Sequence, residues 1–93
     1  MAVNVKTSIN TADGSITTGP AIVYGILAAA AGTGGLWQLN DSSDDSGTDL
    51  ISGFAQPSGE TYIDLSNTPI HFKTAIRADI PGTNVTLTVL YTE

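Results

Sequence analysis

Four of the nine carboxylates in this 93-residue chain fall in one polar stretch, Asp41-Ser42-Ser43-Asp44-Asp45-Ser46-Gly47-Thr48-Asp49. Hard cations take several converging oxygens, so this is where a Ca2+ site would be sought. Asp41, Ser43 and Asp45 occupy the first, third and fifth positions of an EF-hand loop. The pattern then fails: Gly47 falls at the seventh position instead of the sixth, and the twelfth is Ser52 instead of glutamate. Asp41, Asp44, Asp45 and Asp49 are therefore the metal candidates on spacing alone. The plainer expectation is a solvated acidic loop between strands, with no bound metal and no cofactor.

Other chemistry finds few candidates. His71 is the single histidine, and after Pro69-Ile70 it reads as a partly exposed loop residue. No serine sits in a G-x-S-x-G elbow. Gly32-Thr33-Gly34-Gly35 lacks the Lys-Ser/Thr and the following helix that a phosphate-binding loop needs. An enzyme is not expected. Lys6, Lys73 and Arg77 are the only cations against a formal charge of −6, too few to neutralise phosphates, so neither nucleic acid nor an anionic membrane is an expected partner. Asn40 and Asn84 begin N-x-S/T triplets, which arise often by chance. No secretory leader is visible at the start, and the apolar run that begins near residue 20 is shorter than the ~20 residues of a spanning helix. The chain is expected to be made in a cytoplasm.

The elements that must position these residues read as strands. Thirteen threonines and ten glycines among valines and isoleucines disfavour helix and suit a pleated sheet. The absence of cysteine excludes disulfides and thiolate metal sites. One small antiparallel β-sandwich, jelly-roll-like, of seven or eight short strands over residues 1–93 is the expectation. Its centre is the long apolar run 19–31, then the glycine turn 32–35, then a returning strand 36–41, read together as a central hairpin. Alternation places Ile22, Tyr24 and Ile26 on one face of that run and Val23, Leu27 and Ala29 on the other. Residues 2–9 form a first strand, and Asp13-Gly14 is a hairpin signal before a short strand around Ile16. Strands are expected over 48–54 and 61–65. Phe72, Thr74, Ile76, Ala78 and Ile80 alternate with Lys73, Ala75, Arg77 and Asp79 as one strand with a buried and a wet face. Val85, Leu87, Val89 and Tyr91 alternate with Thr86, Thr88, Leu90 and Thr92 in the clearest strand of the chain.

A domain this small without staples draws stability from assembly. Both faces of the 21–31 run are apolar, which a thin sandwich covers most easily with a neighbouring subunit. The interface candidates are Tyr24 and Leu27 on that run, Trp37 as an anchor or core residue, Lys73 and Arg77 as partners for a neighbour's carboxylate, Tyr91, and the terminal strands as open edges.

The ordered set Gly19-Pro20-Ala21-Ile22-Val23-Tyr24-Gly25, Gly32-Thr33-Gly34-Gly35, Asp41-Ser42-Ser43-Asp44-Asp45-Ser46-Gly47-Thr48, Pro69-Ile70-His71-Phe72-Lys73-Thr74-Ala75-Ile76 and Leu87-Thr88-Val89-Leu90-Tyr91 resembles a group of small tailed-phage virion proteins. The resemblance spans residues 19–91. Ala75 stands where the pattern has glycine. It implies a virion structural protein, first of all a capsid decoration (cement) protein on the capsid surface. Such a protein would bind the assembled major capsid protein and be homo-oligomeric, most often trimeric. A tail- or fibre-associated module, or a small carbohydrate- or calcium-binding β-module, are the alternatives.

Overall fold

A computed structural model describes residues 5–44, 46–81 and 84–93. Residues 2–4 of the expected first strand, and Asp45 among the metal candidates, lie outside the described residues. Among the described residues the chain is all-β, with nine strands in two antiparallel sheets. They are β1 (Lys6–Asn10), β2 (Gly14–Ser15), β3 (Ala21–Ala30), β4 (Gly35–Asp41), β5 (Thr48–Ala55), β6 (Glu60–Asp64), β7 (Ile70–Phe72), β8 (Ile76–Asp79) and β9 (Val85–Thr92). The first sheet has the order β1-β9-β3-β6, with β7 also on β3; the second has the order β2-β8-β4-β5.

The pairings nest: β1 with β9, β2 with β8, β3 with β6, and β4 with β5. That is one long antiparallel hairpin rolled up so that its successive rungs alternate between two sheets, the jelly-roll arrangement. Its tip is the β4–β5 hairpin, whose loop is the acidic stretch. The alternation has a physical cause. The inner strands β3, β4, β8 and β9 each bury one face, and a sheet this narrow can bury it only against the other sheet.

This overturns the expected central hairpin. β3 and β4 lie in different sheets and do not pair. Gly32 and Gly34 do adopt positive φ, at 91° and 77°, but they drop the chain from one layer to the other. A Cβ at Gly34 would strike the Ala55 carbonyl oxygen, so the close approach of this loop to the end of β5 also requires glycine. Asp13-Gly14 is likewise no hairpin: β1 and β2 belong to opposite sheets, and the Asp13 carboxylate accepts the Ile80 amide at 2.7 Å. The turn residues marked where the chain reverses; burial decided which strand it meets next.

Two further expectations change in phase. The register slips between Val23 and Gly25, so Tyr24 sits in a bulge. Val23 and Ile26 consequently share the buried face, both at 0% exposure, while Ile22 and Leu27 look outward and are half-buried. The expected strand through 72–80 is two strands, β7 in the first sheet and β8 in the second. Ala75 is fully buried and Thr74 exposed, because the chain changes layer between them and the alternation breaks. β9 matches its expected pattern, with Val85, Leu87, Val89 and Tyr91 inward. It is a central strand, flanked by β1 and β3, so the C-terminal strand offers no open edge; β1 does.

The core is the layer between the sheets: Val23, Ile26 and Ala28 of β3 and Val85, Leu87 and Val89 of β9 face Trp37 and Leu39 of β4 and Ile76 and Ala78 of β8. Trp37 is its largest side chain. Gly53, directly opposite on β5, makes room for the ring, since a Cβ there would lie 2.6 Å from Trp37 Cζ2.

Candidate functional site

The acidic stretch is built from β4 outward, and its polar groups are turned upon the protein itself. Asn40, 3% exposed, occupies the centre of the loop. Its Nδ2 donates to the Gly47 carbonyl at 2.8 Å and to Asp49 Oδ1 at 2.9 Å, and its Oδ1 accepts from the Ser42 hydroxyl. A side-chain amide thus engages the Gly47 carbonyl and an Asp49 oxygen, acceptors that a bound cation would otherwise need. Gly47 closes it, packed so near Asp41 that a Cβ would strike the Asp41 carbonyl.

Asp41 leaves the loop altogether. Its carboxylate accepts the amides of Thr74 at 2.8 Å, Lys73 at 3.2 Å and Ala75 at 3.3 Å. These are the three residues between β7 and β8, where the chain leaves one sheet for the other. Successive amides in a bend form a concavity that suits an anion, and Asp41 fills it from the end of β4. Partial burial pushes the Asp41 carboxyl up, but the Thr74, Lys73 and Ala75 amides, with the Lys73 charge, outweigh that and hold it below its ordinary value. Asp44 is held low chiefly by the Ser46 hydroxyl and amide, with the Arg77 charge adding. Among the described residues, no group of three or more histidine or carboxylate side chains is placed to hold a metal.

Asp49 and Asp79 come together on the outer face of the second sheet. Both carboxylates face the Gln38 amide, which fixes its orientation: the nitrogen donates to Asp79 Oδ2 at 2.9 Å and to Asp49 Oδ2 at 3.2 Å. Asp79, Gln38 and Asp49 form a polar row across β8, β4 and β5 that spacing alone did not suggest.

The expected interface residues do not form one surface. Trp37, at 1% exposure, and Tyr91, at 8%, are core residues, so neither presents its ring to a partner. The reason for Trp37 is the room that Gly53 opens beneath β5; for Tyr91 it is the central place of β9. Leu27 and Tyr24 are half-buried on the first sheet. Lys73 is exposed after β7, and Arg77 is half-buried on β8 with its Nε enclosed and unbonded. His71 is exposed on β7. It lines a shallow apolar cleft of about 340 Å³ together with Pro20, Ala21, Ile22, Phe72, Lys73 and Glu93.

An apolar surface that the alternation hid lies on the outer face of the second sheet. Leu36 is 56% exposed and Phe54, its direct cross-strand partner, 49%. Leu50, 38% exposed, is the extra residue where the register slips between Leu39 and Asn40. The signal was present in the sequence: in 48–55 both alternating sets contain large apolar residues, Leu50 and Phe54 in one and Ile51 in the other. One set fills the core, and the other is left in water.

Searches against protein-family profiles, characterised proteins and solved structures find no match to this chain.

Proposed function

We propose that this protein is a structural component of a phage virion, a capsid decoration protein that binds the assembled shell and stabilises it. The observation that carries the reading is the exposed Leu36–Phe54 cross-strand pair on the outer face of the second sheet, with Leu50 also exposed further along β5. Exposed apolar groups clustered within a polar surround mark a protein contact. The order of motifs across residues 19–91 supplies the kind of partner, and jelly rolls recur among capsid proteins. The mechanism is mass action. A module that binds only the assembled lattice lowers the free energy of that state and not of its dissociated subunits. Rigidity serves this role, since a preformed surface loses little conformational entropy on docking.

The test is the copy number and position of the protein on purified particles, by quantitative gel and by imaging. Many copies spread over the head are expected. A few copies at one vertex or on the tail would replace this reading with a tail module. Absence from particles would end the virion reading and leave a small ligand-binding β-module.

A further inference from the structure

The two sheets have open edges at β1, β6, the three-residue β7, β2 and β5, and natural sheets guard such edges with charge, shortness or bulges. β1 carries Lys6, ion-paired with Glu93 at 3.2 Å. β6 carries Glu60 and Asp64 among its five residues, and β2 is two residues long. β5 has eight residues and a single charge, Asp49, beside the Leu50 bulge. Beyond that bulge, 51–55 is Ile-Ser-Gly-Phe-Ala, the longest uncharged edge among the described residues. The surface beside it is not uniform. The Phe54 end carries the exposed Leu36–Phe54 pair, and the other end carries the Asp49–Gln38–Asp79 row.

We infer that the β5 edge is a docking site for an extended, cationic segment of a partner protein, which adds to the second sheet as a further strand. Backbone pairing along 51–55 supplies the affinity. Side chains on the incoming strand supply the specificity, because alternate residues face outward and meet their cross-strand neighbours. An apolar residue meets Phe54, which is paired on its other side with Leu36. A lysine or arginine toward the opposite end reaches the Asp49 carboxylate, whose oxygens already accept from Asn40 and Gln38 and retain lone pairs for another donor. Charge chooses the occupant. A second copy of this chain carries the same −6, and its β5 brings a carboxylate and no cation. A basic segment is drawn to the site by the charge of the whole molecule as well as by the pair. The inference rests on the proposed virion role only for the identity of the partner, which would then be an extended arm of the shell protein.

The test titrates the isolated protein with a soluble extended peptide whose outward-facing positions carry valine toward one end and lysine toward the other, with threonine at the alternate positions, followed by backbone amide NMR and hydrogen exchange. The expected result is shifted and protected amides in 51–55, with binding that weakens as salt is added. Asp49→Asn should weaken binding several-fold. Ser52→Lys, at an exposed position, should abolish it while leaving the melting temperature within a few degrees. The same peptide with glutamate in place of each lysine should not bind. Absence of binding, protection at β1 or β6 instead, or unchanged affinity in both variants would overturn the inference. So would protection of 51–55 in the protein alone together with a concentration-dependent dimer, which makes the occupant a second copy. If Ser52→Lys loses the peptide but decorates particles like the unaltered protein, the shell arm is not the occupant and the decoration role stands. If the protein is absent from particles and the peptide result holds, the decoration role is wrong and the docking site stands.

Discussion

Replacing Asp41 with alanine removes the acceptor that holds the change of layer between β7 and β8. Three amides lose their partner, those of Lys73, Thr74 and Ala75. A hydrogen bond to a charged group contributes about 1.5–3 kcal/mol when shielded from water. Lys73 and Thr74 are exposed, so water recovers most of their share, and Ala75 is fully buried, so its amide bears most of the loss. The sum is about 2–3 kcal/mol. For a domain of this size that corresponds to a fall in melting temperature of about 10–20 °C. Urea unfolding followed by the fluorescence of Trp37, the sole tryptophan and 1% exposed, measures it directly. Asp41→Asn keeps one acceptor oxygen and should lose about half as much. The pH dependence gives an independent check. The folded carboxyl lies below its ordinary 3.8, so on acidification the unfolded chain takes up the proton first. The contribution of Asp41 is therefore complete above about pH 5 and is lost as the pH falls below about 4, through the folded value. The stability gap between the unaltered protein and Asp41→Asn should be constant at neutral pH and narrow in acid. Asp44 and Asp64, which are also held low, leave some acid sensitivity in the variant. An Asp41→Ala protein within about 0.5 kcal/mol of the parent, smaller than a single hydrogen bond, would refute the assignment of Asp41 as the brace.

Gly53→Ala drives a methyl into the buried Trp37 ring, with 2.6 Å available at Cζ2, and should cost about 1–3 kcal/mol by overpacking. Gly25→Ala meets only the tip of Tyr62, which is 52% exposed and free to swing aside; it should cost under about 1 kcal/mol, and equal losses in the two variants would contradict the packing account. Asn40→Ala leaves the Gly47 carbonyl and the Ser42 hydroxyl without that partner, and should lower stability by about 1–3 kcal/mol with faster amide exchange confined to 42–48. Neither CaCl2 nor a chelator should move the melting temperature, because Asp41 is engaged by amides and the centre of the loop by Asn40; a rise with Ca2+ would restore the loop as a cation site.

Much of the strand content could be read from side-chain type and period. β9 is legible because Val85, Leu87, Val89 and Tyr91 repeat every second residue without interruption. β4 is legible in the same way, with Trp37 and Leu39 inward and Leu36 and Gln38 outward. Phase failed where the backbone breaks its own rule. A bulge at Tyr24 moved Ile26 to the same face as Val23, and the layer change after Phe72 broke a period that looked continuous. No local pattern announces either event, because each is fixed by a distant partner: β9 pairing with β3 in the first case, the Asp41 carboxylate in the second. The site residues followed the same division. Spacing made Asp41 and Asp49 candidate ligands. The fold gave one to a backbone bend and joined the other to Asp79 through Gln38, which lies 11 residues before Asp49 and 41 before Asp79.

Composition and local pattern are enough to make this an all-β chain. Its β-branched and threonine-rich composition, its period-2 runs and its glycine-marked reversals act within a few residues, and they exclude helix wherever they occur. Composition also determines the acidic charge. The tertiary structure alone decided which strands pair, because a turn sets only the position of a reversal, while the choice of sheet depends on which apolar face can be covered from across the core. For the same reason Trp37 is a core residue and Leu36, one position earlier, is a surface one: adjacent residues on a strand point to opposite faces, and only the second layer decides which of those faces is the inside.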